Sequence, residues 1–233
     1  MTVLGPGEWG LLLLSLKVSL VAILGALPAA FTAAWVLARW SFPGKVLLDA
    51  VVHLPLVLPP VVTGWMLLVA FGPQEPLGRF FASAFGMTFL FRWTGAALAA
   101  GVMAFPLMVR AMRLSLEGVD RRLESAARTL GAGPWRTFAS VTLPLSANGV
   151  LAALVLGFAR SVGEFGATIT FASNIPGETQ TLPLAIYSAL QVPGTESEVA
   201  RLAGLSVLLS LGALVASEWL VRRSGQERGR HVL

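Results

Sequence analysis

The chain has no cysteine in its 233 residues, which excludes disulfides, thiolate catalysis and cysteine-based metal sites. It is also poor in charge. Asp, Glu, Lys and Arg make up 12% of it, where an average chain carries about 25%. Histidine occurs twice, at His53 and His231, too sparsely for a histidine-rich metal site. No G-x-x-x-x-G-K-[ST] phosphate loop is present, because Gly44-Lys45 is followed by valine. Ser/His/Asp groupings and paired carboxylates within one expected pocket are missing as well. Catalysis, nucleotide binding, a metal and a cofactor are therefore not expected of this chain. The segment up to Gly10 carries only Glu8, whereas a secretory signal begins with basic residues, so no signal peptide is expected. No internal repeat is evident.

What is abundant is apolar sequence. Hydrophobic residues account for 55% and mean hydropathy is +0.75, so the expected fold class is an all-α integral membrane protein. The formal net charge of +5 and a pI near 11.0 would suit nucleic acid. The basic residues, however, flank apolar runs instead of interleaving with aromatics, and no nucleic-acid partner is expected.

A span needs about 20 apolar residues, and five stretches qualify: 18–37, 46–71, 94–112, 144–165 and 200–221. Residues 11–17, with Lys17, are expected to lie at the interface before the first. The loop at 39–45, the loop at 110–136 and the tail at 222–230 hold 2, 6 and 4 basic residues, twelve of the 17. The positive-inside bias puts all three in the cytoplasm, with the N-terminus outside and the C-terminus inside. One transmembrane domain over 1–233 is expected, with a cytoplasmic loop at about 113–143, an outer segment at about 165–198 and a short tail at 222–233, frayed by its polarity. The outer segment is interrupted by Asn174, Pro176-Gly177, Pro183 and Pro193-Gly194. It is expected to hold a short helix over 182–190, either outside the membrane or dipping in as a partial sixth span.

Two places in the spans carry unusual residues. Pro55, Pro59 and Pro60 lie within six residues and break the i to i−4 ladder, which lipid tolerates only beside protein or a wet cavity. Either they line a translocation path or they make a packing kink. Arg160 and Glu164 fall at i and i+4 on one face of the fourth span. Ionisable groups at that depth face the bundle interior or water, so the pair either shapes an outer mouth or only satisfies itself.

The longest run unsuited to lipid is 117–145, EGVDRRLESAARTLGAGPWRTFASVTLPL. Leu123, Ala126, Ala127 and Leu130 share a helical face. Asp120 suits the cap at its start, Gly131 and Gly133-Pro134 its end, and Pro134 the first turn of a second helix. Periodicity alone fits a solvated helix between two spans equally well.

The spacing carries more. Ala126-Ala127, Gly131 four residues on, nine further residues, then Val141-Thr142-Leu143-Pro144 resembles the EAA loop of the permeases of ATP-binding-cassette (ABC) importers. That pattern reads E-A-A, three residues, G, nine residues, I, one residue, L-P. Ser125 stands where its glutamate usually does, with Glu124 one position earlier. The resemblance implies a type I importer permease in which Leu123, Glu124, Ser125, Ala126, Ala127, Leu130, Gly131, Leu143 and Pro144 form the coupling element for a separate ABC ATPase subunit. It further implies two ATPase copies, a second copy of this chain, surrounding lipid and an extracytoplasmic binding protein, at a bacterial inner membrane. Residues 53–64 (HLPLVLPPVVTG) and 160–187 (RSVGEFGATITFASNIPGETQTLPLAIY) are similar to the molybdate importers of that family, which makes molybdate the expected cargo. Tungstate and sulfate or thiosulfate are the alternatives. A secondary transporter commonly shows two related halves, and a membrane enzyme needs a polar cluster in its spans. Neither feature is found.

Overall fold

A computed structural model describes the backbone of residues 6–230 and the side chains of residues 7–215. Every element in that range is helical. The first, α1 (Pro6–Arg39), is one helix of 34 residues. Residues 11–17, expected at the interface, continue it without a break. Their polar members find partners inside the protein: Lys17 Nζ lies 3.6 Å from the Trp93 ring centroid, and Ser15 Oγ accepts from Leu182 N–H at 2.8 Å.

Helix α5 (Trp93–Glu117) is the centre of the bundle, packed against α1 on one side and against α8 (Leu143–Val162) on the other. Its sequence explains this. Ala96, Ala99, Ala100 and Ala104 are all buried, and small residues on one face let helix axes approach closely where lipid gives no hydrophobic drive. Met103, Met108 and Met112 fill the irregular space between them.

The expected second span is two helices, α2 (Lys45–Val57) and α3 (Pro60–Phe71), bent by 116°. At 13 and 12 residues each extends only about 18–20 Å, short of the ~30 Å hydrocarbon core. Pro55 does not contribute to the break, since it sits inside α2. The break falls at Leu58 and Pro59, whose ψ values are 144° and 135°, as expected of residues that precede proline. Pro60 then starts α3. Among the described residues four helices are long and apolar enough to cross a membrane, Gly7–Arg39, Trp93–Glu117, Pro134–Val162 and Glu196–Val215, or five if the bent pair counts as one.

Between the spans lie α4 (Pro76–Phe85), α6 (Arg121–Thr129), α9 (Gly166–Ala172) and α10 (Leu182–Leu190), while α7 (Pro134–Thr137) and a π-helix (Phe138–Thr142) form the start of the span that α8 continues. The segment at 165–198 thus holds the short helix expected at 182–190 and a second one, α9. The last helix, α11 (Glu196–Arg230), continues through the tail that polarity suggested would fray. The side chains of Arg222 and Arg223, and residues 1–5 and 231–233 with His231, fall outside the described residues.

Candidate functional site

Helix α6 is built by its own sequence. Asp120 is extended and its Oδ1 accepts from Arg122 N–H at 2.8 Å, satisfying one donor that the helix start leaves free. At the other end Gly131 has φ +86°, a conformation cheap only without a Cβ. Gly131 N–H donates to Arg128 O and Ala132 N–H to Ala127 O, both at 3.0 Å. These two bonds are the Schellman closure of a helix. Pro134 then begins α7, and the chain passes through the π-helix into α8.

Three large apolar residues of this loop are left exposed. Leu123 is 50% exposed, Leu130 88% and Trp135 84%, and no residue of α6 is buried. Fully covering a leucine gains about 1.5–3 kcal/mol, so the bare face is a reserve of association energy. The opposite side of α6 faces inward through Glu124, which accepts from Arg39 Nη2 at 2.8 Å and from Thr142 Oγ1 at 2.7 Å. Ser125 turns its hydroxyl to its own helix, donating to Arg121 O at 3.0 Å. Leu143 and Pro144 open α8 and are exposed.

The second cluster lies where α8 ends. Val162 is the last helical residue and Gly163 the cap, so Glu164 stands beyond the helix, yet it still meets Arg160 Nη1. That contact is one of charge. The aligned hydrogen bond of Glu164 runs from Ala167 N–H to Oε1 at 3.0 Å, in the first turn of α9, where a carboxylate also answers the helix dipole. Glu164 is 3% exposed. Helix α3 packs against α9 so closely that a Cβ at Gly64 would lie 2.7 Å from Ala167 O, and one at Gly166 would lie 2.7 Å from Pro60 Cβ. The fold therefore brings Pro60 to the Arg160–Glu164 region and leaves Pro55 in the interior of α2. Thr63 and Ser161 are buried nearby in sequence to these residues, and their hydroxyls have no protein partner among the described residues.

The family profile described as "Binding-protein-dependent transport system inner membrane component" matches residues 22–226. This chain belongs to that family. Being an inner membrane component of a binding-protein-dependent transport system, it is a multi-pass membrane protein. It is 58% identical over 228 residues to the molybdenum transport system permease protein ModB of Escherichia coli (strain K12), covering 98% of this chain and 100% of that one. The Haemophilus influenzae protein of the same name is 57% identical over 217 residues, 93% of this chain and 95% of that one. The sulfate transport system permease protein CysW of Synechococcus elongatus is 40% identical over 200 residues, 85% of this chain and 69% of that one. Among solved structures, the inward-facing MetNI methionine ABC transporter superposes with a TM-score of 0.68 at 18% identity, over 94% of both chains. A bacterial ABC transporter that imports alginate gives 0.71 at 16%, over 94% of this chain and 80% of that one. The fold is thus that of the membrane subunits of ABC importers.

In this inner membrane component the sequence singled out the 117–145 loop but not all of the contacts that the fold makes around it. Arg39 read only as an orienting charge and Thr142 only as the variable position before Leu143-Pro144. Thr63 and Ser161 carried no motif and no charge.

Proposed function

We propose that this chain is the permease subunit of an ATP-driven importer for molybdate, a transport subunit and not an enzyme. The observation that carries the reading is the exposure of Leu123 on α6, Leu130 at its cap and Trp135 on α7, around an otherwise charged helix that its own capping bonds keep folded. Exposed aromatic and aliphatic anchors ringed by Arg121, Arg122 and Arg128 are the composition of a protein interface, an apolar centre with a polar rim. Its occupant in this reading is the ATPase subunit, since this chain has no phosphate loop of its own. Two ATPase copies serve two permease copies, and the path runs between the permeases.

Molybdate is favoured over sulfate by kinship. Identity is 58% across the whole length of a molybdenum permease, against 40% across part of a sulfate permease. An extracytoplasmic binding protein captures the oxyanion and docks at the end of the molecule that holds α9 and α10. Pro59 and Pro60, with the Arg160–Glu164 region, form the path or its mouth, and the unpartnered hydroxyls of Thr63 and Ser161 support this. A hydroxyl without a protein partner is retained where water or an oxyanion can complete its bonding.

The deciding experiment reconstitutes the permease with the ATPase subunit and binding protein in liposomes and follows molybdate uptake. Uptake should require ATP and the binding protein, and should survive excess sulfate. Sulfate competing as well as molybdate would sink the cargo assignment. Orientation is tested separately. With no native cysteine, Ser125→Cys gives a single label site, and reaction with an impermeant reagent should occur only once the inner face is opened. Labelling from outside intact cells would reverse the N-out, C-in arrangement.

A further inference from the structure

Beneath the bare face of α6, three elements distant in sequence meet at one oxygen atom. Glu124 Oε1 accepts both from Arg39, the last residue of α1, and from Thr142, the last residue of the π-helix that feeds α8. The site is nearly dry: the Arg39 side chain is 9% exposed, Glu124 14%, and Thr142 is buried. Charge-assisted bonds with little competing water are the strong ones. Arg39 meets the carboxylate through Nη2 while its Nε, also buried, has no acceptor among the described residues, so the guanidinium has been withdrawn from water at a cost that this carboxylate offsets. Withdrawing a charge is costly, and a connector loop has no use for it. Beside it the Trp35 and Phe138 rings meet edge to face, with centroids 5.2 Å apart, and this stiffens the same junction.

The tie is not needed to make α6 a helix. Asp120 caps its start and the Gly131 turn closes its end, both without Glu124. What the tie fixes is where α6 sits relative to α1 and α8, the two helices that flank α5. The π-helix belongs to this arrangement. One residue advances an α-helix by about 100°, so a regular α ladder through 138–142 would carry the Thr142 hydroxyl away from Glu124. π turns of this kind are frequent at functional positions.

We infer that Glu124 is the positioning residue that makes α6, α1 and α8 one rigid unit, so that displacement of α6 is passed to the spans through Arg39 and Thr142. The inference rests on reading α6 as the ATPase contact. The test uses the complete reconstituted importer and measures ATP hydrolysed per molybdate transported. Glu124→Gln should raise this ratio about fivefold or more, the lower end of typical coupling between sites. Thr142→Val, which removes one arm only, should raise it less, and Thr142→Ser should return it to that of the unaltered protein. A group that merely supports the fold would lower transport and hydrolysis together and leave the ratio unmoved. That result for both Glu124→Gln and Thr142→Val would overturn the inference. If Glu124→Gln fails to insert, Thr142→Val against Thr142→Ser decides alone. An unaltered permease that does not retain the ATPase subunit is a different failure: it would remove the reading of α6 itself, and this inference with it.

Discussion

Two glutamates, Glu124 and Glu164, each hold an arginine, and they do opposite work. At Glu164 the carboxylate is the buried member and the arginine the partly exposed one, with side chains 2% and 27% exposed. Both its bonds are local, to residues four before and three after it. It shapes its own turn and starts α9. At Glu124 both members are mostly buried, and the bond to Arg39 crosses 85 residues. It shapes nothing local and instead fixes a helix, already complete, against the rest of the molecule. A short-range ion pair builds an element; a long-range one positions it.

This contrast can be broken by substitution. The largest effect on stability is expected from Glu164→Ala, which strips Arg160 of its counter-charge and leaves Ala167 N–H unpaired in the interior. Removing one member of a buried pair costs about 3–5 kcal/mol, and the 27% exposure of Arg160 puts the loss near ~3 kcal/mol. Thermal unfolding in detergent measures it, and Glu164→Gln, which keeps an acceptor for Ala167, should recover part. Unchanged unfolding in both variants would mean that the α8–α9 junction does not depend on this group.

Leu130→Asp should do the reverse. At 88% exposure the side chain has almost nothing to lose in the isolated permease, so stability should stay within about 0.5 kcal/mol. Capture of the ATPase subunit should fall at least about tenfold, or roughly 1.4 kcal/mol. Retention of full capture by Leu130→Asp and Leu123→Asp together would mean that the apolar face serves no partner.

The most local effect concerns the turn. Gly131→Ala places a Cβ at φ +86° and should cost about 1–2 kcal/mol. Gly133→Ala, at φ −66° with open space around the new methyl, should cost almost nothing. Helix content and unfolding of the two variants, compared side by side, separate backbone strain from crowding. Equal behaviour would mean that the glycines are interchangeable.

The same division between local and distant explains what the sequence could disclose. The Arg160–Glu164 pair was legible because the two residues are only four apart, close enough to meet even though α8 ends at Val162, two residues short of Glu164. Asp120, Gly131 and Pro134 were legible because capping chemistry acts within a few residues. The basic segments announced themselves through their counts. Arg39 with Glu124, by contrast, is a pairing of two residues in separate segments, and no periodicity relates them. The break between α2 and α3 was visible in the prolines, but its 116° angle was not, since proline removes a hydrogen bond without setting the direction that follows. Helix α9 escaped notice because seven residues are too few to establish a period. Its packing on α3 through Gly64 and Ala167, and on α5 through Phe171, holds it in place.

The bond from Leu182 N–H to Ser15 Oγ also has a consequence in time. Its ends are 167 residues apart. At about 5–20 residues per second of synthesis, α1 waits on the order of ten to thirty seconds for its partner to leave the ribosome. During that interval Ser15 is not idle, for its own proton goes to Leu11 O at 2.8 Å, inside the helix it belongs to. The early helix can therefore enter the bilayer with its hydroxyl donor satisfied and only an acceptor lone pair waiting. Fastening of the Ser15 end of α1 is deferred until Leu182 has been made, so nascent chains halted before Leu182 should carry an inserted but unfastened first helix.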